Sequence, residues 1–133
     1  MARDDIFNAI TPSLALANTT NAALVGATVN GAIIDTQGET GGAFLVRVAG
    51  ISAGSIALGI IAGDAADLSD GEAVTDPLLV QVSDPITAAG QGKAAYQGIK
   101  RYIRLTLTGS ADLAGASAFS IYASAKQDQG ALA

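Results

Sequence analysis

The chain contains no cysteine, no histidine and no tryptophan. Without cysteine it forms no disulfide and offers no thiolate as a nucleophile or metal ligand. Without histidine it lacks the commonest general base and the usual zinc ligand, which excludes Ser-His-Asp and Cys-His catalytic sets. We therefore expect no catalytic residues, no cofactor and no metal, and we expect that the protein is not an enzyme.

Positive charge is also scarce, because seven Lys and Arg stand against twelve Asp and Glu, giving a net charge of −5. Nucleic-acid binding needs clustered basic residues, so we expect no nucleic-acid partner. Residues 48–63 carry no charge, but these sixteen residues are fewer than the roughly 20 that cross a bilayer, and Gly and Ser interrupt them. This stretch predicts two buried strands, and we expect no membrane association. The opening MARDDIFNAI lacks the basic region and apolar run of a secretion signal.

Small residues are abundant: the chain has 28 Ala and 16 Gly among 133 residues, and only six aromatic residues. A core built from such side chains buries little apolar area per residue. The length is that of one domain. We therefore predict a single domain that gains part of its stability by association with other chains.

Alternation of apolar and polar residues, with turn signals between the runs, predicts seven to nine short strands and no long amphipathic helix. This pattern is typical of an antiparallel β-sandwich of the jelly-roll or immunoglobulin-like type. We place an N-terminal arm at residues 1–12, the sandwich at 13–125 and a flexible C-terminal tail at 126–133. The predicted strands include residues 13–17, 22–29 and 32–36, and runs containing Phe44–Val48, Ile56–Ile60, Leu78–Val82, Ile103–Leu107 and Phe119–Tyr122.

The sequence DAADLSDGE at 64–72 is the most acidic segment. Asp64, Asp67 and Asp70 follow one another at intervals of three, whereas a calcium-binding EF-hand loop places its acids at alternate positions. We interpret this acidic loop as a solvated surface loop, and calcium binding remains the alternative.

Two segments are candidate partner-binding sites. In YQGIKRYIRLTLTG at 96–109, Ile103, Leu105 and Leu107 alternate with polar residues, which predicts a core strand with one outward face. That outward face is either solvated or part of an interface, where Arg and Tyr are enriched. The second segment is the arm, which is predicted to dock on a neighbouring subunit or on a larger assembly. The candidate residues are Ile6, Phe7 and Ile10 in the arm, Lys100 and Arg101 at the entry of the strand, and Tyr102 and Arg104 on its outward face.

The order of several segments resembles a family of small structural proteins from the head-gene region of tailed bacteriophages. These proteins often begin Met-Ala-Arg-Asp, and they carry an Asn-Gly…Asp-x-Gln-Gly segment and a late Tyr-x-Gly-x-Lys-Arg-Tyr-x-Arg strand. The family's acidic turn and frequent tryptophan in mid-chain are replaced here by AGDAADLSDGE. The matching positions are Asn30, Gly31, Asp35, Gln37 and Gly38, and then Tyr96, Gly98, Lys100, Arg101, Tyr102 and Arg104.

The resemblance implies a capsid decoration or cement protein that binds the major capsid protein and stabilises the head shell. It also implies a homo-oligomer, with a trimer as the expected number, assembled in the host cytoplasm and located on the capsid surface of the virion. A tail, neck or fibre component of the virion is the main alternative. A carbohydrate-binding or adhesion module is a further one, although the few aromatic residues argue against it.

Overall fold

The computed structural model of the protein describes residues 10–36 and 42–125. Two antiparallel sheets pack face to face, which confirms the predicted all-β sandwich. The first sheet has the strand order β1-β10-β4-β8-β7. The second has the order β2-β9-β5-β6, and β3 also pairs with β9. The ten strands are β1 (Ile10–Thr20), β2 (Thr28–Asn30), β3 (Ile34–Asp35), β4 (Gly42–Gly50), β5 (Ile56–Gly63), β6 (Glu72–Ala73), β7 (Val80–Val82), β8 (Gly90–Tyr96), β9 (Tyr102–Gly109) and β10 (Ser117–Ala125).

The core lies between the two sheets and is formed by the alternate residues that the sequence pattern predicts. Three strands supply most of its large side chains, since every second residue of a strand points to the same face. The aromatic rings of Phe44 and Tyr122 pack against each other with their centroids 4.9 Å apart. The fully buried aliphatic side chains of β4, β5 and β9 are Val46, Val48, Ile56, Ile103, Leu105 and Leu107.

Strand β1 departs from simple alternation. Its register with β10 shifts between Leu14 and Leu16 and again between Leu16 and Thr19. A bulge places consecutive residues out of the regular in-out pattern, and here both Ala15 and Leu16 are buried. The bulged strand thus covers the core although its sequence does not alternate.

On strand β10, Ser120 points into the core, whereas Phe119 and Ile121 point outward. Ser120 is fully buried, and its hydroxyl donates a hydrogen bond to the Leu45 carbonyl oxygen at 3.0 Å. Phe119, by contrast, is 40% exposed. The sequence predicted that Phe119 and Ile121 share a face, and the structure shows that this is the outer face of the first sheet.

Two predicted strands differ from the observed elements. Residues 22–29 include part of a short helix, α1 (Asn21–Leu24), a turn and only the start of β2. In the predicted run that contains Leu78–Val82, strand β7 is limited to three residues, and Leu78 is 82% exposed in the turn before it. Within the described ranges, no helix has the length and apolar character needed to cross a membrane.

The Asn30–Gly31 pair, a sequence typical of hairpin turns, does not form a hairpin here. β2 and β3 both pair with β9, so the residues between them interrupt one sheet edge instead of reversing the chain. A Cβ on Gly31 would lie 2.5 Å from the Ala15 carbonyl oxygen. Glycine is therefore required here because β1, from the opposite sheet, passes close to this backbone.

The first described strand begins at Ile10, so β1 includes the last three residues of the predicted arm, 1–12. Ile6 and Phe7 lie outside the described residues, as does the predicted tail at 126–133. Ile10 pairs with Ala125, which places the first and last described residues side by side at one end of the first sheet.

Candidate functional site

The candidate residues of the late motif lie together where the 97–101 loop enters β9. We name the surface formed by Ile99, Lys100, Arg101, Tyr102 and Arg104 the basic corner. Ile99 is 95% exposed at its tip. Single exposed apolar side chains are common on protein surfaces, so Ile99 is a candidate contact residue because of its neighbours Arg101 and Tyr102, whose residue types are enriched at interfaces.

Both cations at the entry of the strand form ion pairs within the chain. The Lys100 ammonium donates to the Asp64 carboxylate at 2.9 Å, and Arg101 donates from Nε and Nη2 to the two carboxylate oxygens of Asp35 at 2.8 and 2.9 Å. The hydrogen bond to Asp64 raises the pKa of Lys100, and the bond to Asp35 raises the pKa of Arg101. Both groups are therefore cationic at any physiological pH.

The loop itself is held by Tyr96. The backbone N–H of Lys100 donates to the Tyr96 hydroxyl at 3.2 Å. A Cβ on Gly98 would overlap the phenol ring of Tyr96, so only glycine lets the loop lie this close to it. The motif residues Tyr96 and Gly98 thus shape the loop, and the exposed residues between and after them are available for contact.

Tyr102 and Arg104 lie on the outer face of the second sheet, as the alternation predicted. The Arg101 guanidinium carbon lies 5.3 Å from the centroid of the Tyr102 ring, within the range of a cation–π contact. Arg104 is half-buried opposite Ile61 of β5, and its Nε is buried without a hydrogen-bond partner among the described residues. The partner-binding role of these side chains stays a prediction.

The acidic loop is organised by its own backbone. The Asp70 carboxylate accepts hydrogen bonds from the backbone N–H groups of Asp64 and Ala65, both at 3.0 Å. These bonds, the one from Ala65 most strongly, lower the pKa of Asp70. A hydrogen bond from the backbone N–H of Ser69 likewise lowers the pKa of Asp67. In the part of the chain that the structure describes, no three His, Cys, Asp or Glu residues are grouped as a metal ion would require.

A second candidate surface, which the sequence did not single out, lies on the outer face of the first sheet. We name it the outer groove; its volume is about 710 Å³. Leu45 and Ile121 are cross-strand neighbours within it, and Arg47 and Phe119 form the adjacent pair. Leu14 of β1 extends the apolar ladder from Ile121 to the sheet edge. The groove is lined by Leu45, Val46, Arg47, Ala49, Ser83, Gln91, Gly92, Lys93, Phe119 and Ile121.

The sequence showed that β10 has two apolar faces, but it did not show which of them faces the core. Both faces of β10 carry an aromatic residue, and periodicity alone does not tell which face is inside. The pairing of β10 with β4 decides it, because Tyr122 lies opposite the buried Phe44. The larger apolar face of β10 is consequently left in solvent.

Comparison with known proteins gives no family assignment. No family model matches the chain, and no curated protein matches it. Among solved structures, the SPBc2 prophage-derived protein YomS is similar at 12% identity and a TM-score of 0.43, over 86% of this chain and 96% of that one. A structure described as "Bacillus endospore appendages form a novel family of disulfide-linked pili" is similar at 16% identity and a TM-score of 0.43, over 88% of each chain. Likenesses this low in identity and TM-score carry no functional assignment.

Proposed function

We propose that this protein is a capsid decoration protein, which binds the outer surface of a tailed-phage head shell and stabilises it. One observation carries the proposal: two of the segments on which the family resemblance rests, the Asn-Gly…Asp-x-Gln-Gly segment and the late strand, meet in the fold. Asp35 of the first segment forms the bidentate ion pair with Arg101 of the second. The backbone N–H of Thr36 also donates to the Arg101 carbonyl oxygen at 2.8 Å. The shared residue pattern therefore supports a surface feature, the basic corner.

The chemistry of the basic corner suits a protein partner. Lys100 has three N–H donors and gives one to Asp64, while Arg101 has five and gives two to Asp35. Each cation thus has donors left for a carboxylate on the major capsid protein, and the exposed Ile99 at the tip of the same loop supplies an apolar contact. A partner surface with an apolar hollow rimmed by acidic residues would complement this corner.

The test is binding to purified phage particles that lack the protein. We expect Arg101→Ala and Arg104→Ala to weaken binding singly and to weaken it further together, with a smaller loss relative to the wild type at high salt, because screening already weakens the charge contacts that these arginines make. Ile99→Asp should weaken binding at both salt concentrations. The matched control is Leu78→Asp, since Leu78 is a similarly exposed apolar residue in the turn before β7, outside the basic corner.

The copy number in intact particles separates the candidate functions. A decoration protein should be present in numbers comparable with the major shell protein, as measured by gel densitometry. A few copies per particle would support a tail, neck or fibre component instead. Absence from particles would refute both, and unchanged binding of a folded Arg101→Ala/Arg104→Ala variant would show that the basic corner is only a solvated surface.

A further inference from the structure

The outer groove is an apolar surface with unmatched positive charge. Leu45 is 39% exposed and Phe119 is 40% exposed, and they are diagonal neighbours across β4 and β10, since Leu45 pairs with Ile121 and Phe119 pairs with Arg47. Arg47 and Lys93 flank them. Within residues 10–36 and 42–125 the two ion pairs are those of Lys100 and Arg101, so the groove cations take part in neither. A ligand that combines apolar side chains with carboxylates would complement this surface.

The N-terminal segment of the chain has this composition. Residues 2–9 read ARDDIFNA, in which two consecutive carboxylates precede two large apolar residues. We propose that residues 2–9 of one copy bind in the outer groove of a second copy. Ile6 and Phe7 cover the apolar floor, and Asp4 and Asp5 lie towards the two groove cations. The contact is a self-association and does not depend on binding to a capsid.

Chain length assigns the arm to a second copy. The arm joins the fold at Ile10, opposite Ala125 at the end of β10. Phe119 lies six residues back along β10, which is about 20 Å at roughly 3.3 Å per residue. Phe7 is only three residues from Ile10, a reach of about 11 Å at full extension. Phe7 of the same copy therefore cannot reach Phe119, whereas Phe7 of a neighbouring copy has no such limit.

Cross-linking tests this contact directly. Because the chain has no native cysteine, only the introduced thiols react with the reagent. The full-length chain is made as Asn8→Cys/Ala49→Cys, which places one thiol in the arm and one in the outer groove. The matched control is Asn8→Cys/Ala57→Cys, because Ala57 is an exposed alanine on the outer face of the opposite sheet. With a short bismaleimide reagent we expect intermolecular products at least about tenfold more abundant for the groove pair than for the control pair.

Molar mass by light scattering gives an independent measurement. We expect the intact protein to exceed the 13.1 kDa of one chain, and Phe7→Asp and Phe119→Asp each to return it to that mass. Because one of these variants keeps its groove and the other keeps its arm, an equimolar mixture should recover a complex of two chains. Leu78→Asp, far from the groove, should associate like the intact protein.

Several results would overturn the proposal. These are a mass of 13.1 kDa for the intact protein at high concentration, equal cross-linking of the groove and control pairs, or cross-links within one chain. Failure of the two single variants to complement each other, while circular dichroism shows both to be folded, would overturn it as well. None of these readouts involves phage particles, so the self-association and the proposed capsid binding can fail separately.

Discussion

Leu105 is the most informative position for testing the core. It is fully buried at the centre of β9, opposite Ile60 of β5 and between the buried Ile103 and Leu107 on the same face. Leu105→Ala removes three carbon atoms, which costs roughly 2.4 kcal/mol of transfer free energy at about 0.8 kcal/mol per carbon. The packing of Leu105 against Ile60, Ile103 and Leu107 leaves these neighbours little room to move into the vacated space. A cavity therefore remains, and its cost adds to the transfer free energy. We expect a total loss of about 3–5 kcal/mol in the free energy of unfolding.

Urea unfolding followed by circular dichroism measures this loss. The midpoint should fall while the slope m stays constant, because the substitution changes stability and leaves the exposed area on unfolding unchanged. Leu78→Ala is the matched control, and it should shift stability by less than about 0.5 kcal/mol because that side chain is already in solvent. Both proteins should be measured at two concentrations, since self-association makes apparent stability concentration-dependent. A loss below about 1 kcal/mol for Leu105→Ala at constant m would refute tight packing of β9 against the core.

Two further predictions concern the loops. Gly98→Ala should destabilise the protein by about 1–3 kcal/mol in the same urea assay, because the new Cβ overlaps the buried Tyr96 ring; Gly90→Ala, whose Cβ meets open space and one ordinary contact, is the control, and equal stability of the two variants would contradict the reasoning. The lowered pKa of Asp70 predicts that the acidic loop is stabilised above the pKa of an unfolded carboxyl, near 4, and loses this contribution as pH falls through the folded value. The protection factor of the Asp64 amide, which is the exchange rate corrected for the intrinsic rate at each pH, should therefore fall below about pH 4 more in the wild type than in Asp70→Asn, and identical pH profiles of protection would rule this out.

The sequence predicted the central strands well because their alternation is regular. Phe44, Val46 and Val48 occupy the core, and the same holds for the inner face of β9. Alternation is a reliable guide there because one face of each strand meets the core and the other meets solvent. The fold class follows from these strands and from the absence of a long helical pattern.

The remaining differences have physical causes that hydrophobic alternation does not reveal. Leu78 continues the alternation of Val80 and Val82, but hydrogen bonds from the backbone N–H groups of Leu79 and Val80 to the Asp76 carbonyl oxygen fold this end into a local turn. Ala15 is buried by a bulge whose position depends on pairing with β10, far along the chain. The bulge is therefore set by a tertiary contact, which overrides local preference.

The sequence predicted which residues form the candidate site, but it did not predict how they are arranged. The sequence placed Lys100 and Arg101 at the entry of a strand, and the structure adds the partners Asp64 and Asp35 from two distant segments. The exposure of Ile99 follows from the loop geometry and has no signature in hydrophobic periodicity. The outer groove required knowledge of which face of β10 is inside.

The position of β10 between β1 and β4 also constrains how the protein folds during synthesis. β1 is the first described strand to leave the ribosome, yet its neighbour in the sheet is β10, the last. Ile10 pairs with Ala125, which is 115 residues further along the chain. Contacts between such distant residues form slowly because a large loop must close first. The first sheet is therefore completed only after residues up to 125 have left the ribosome, and until then Leu16 has no strand to pair with.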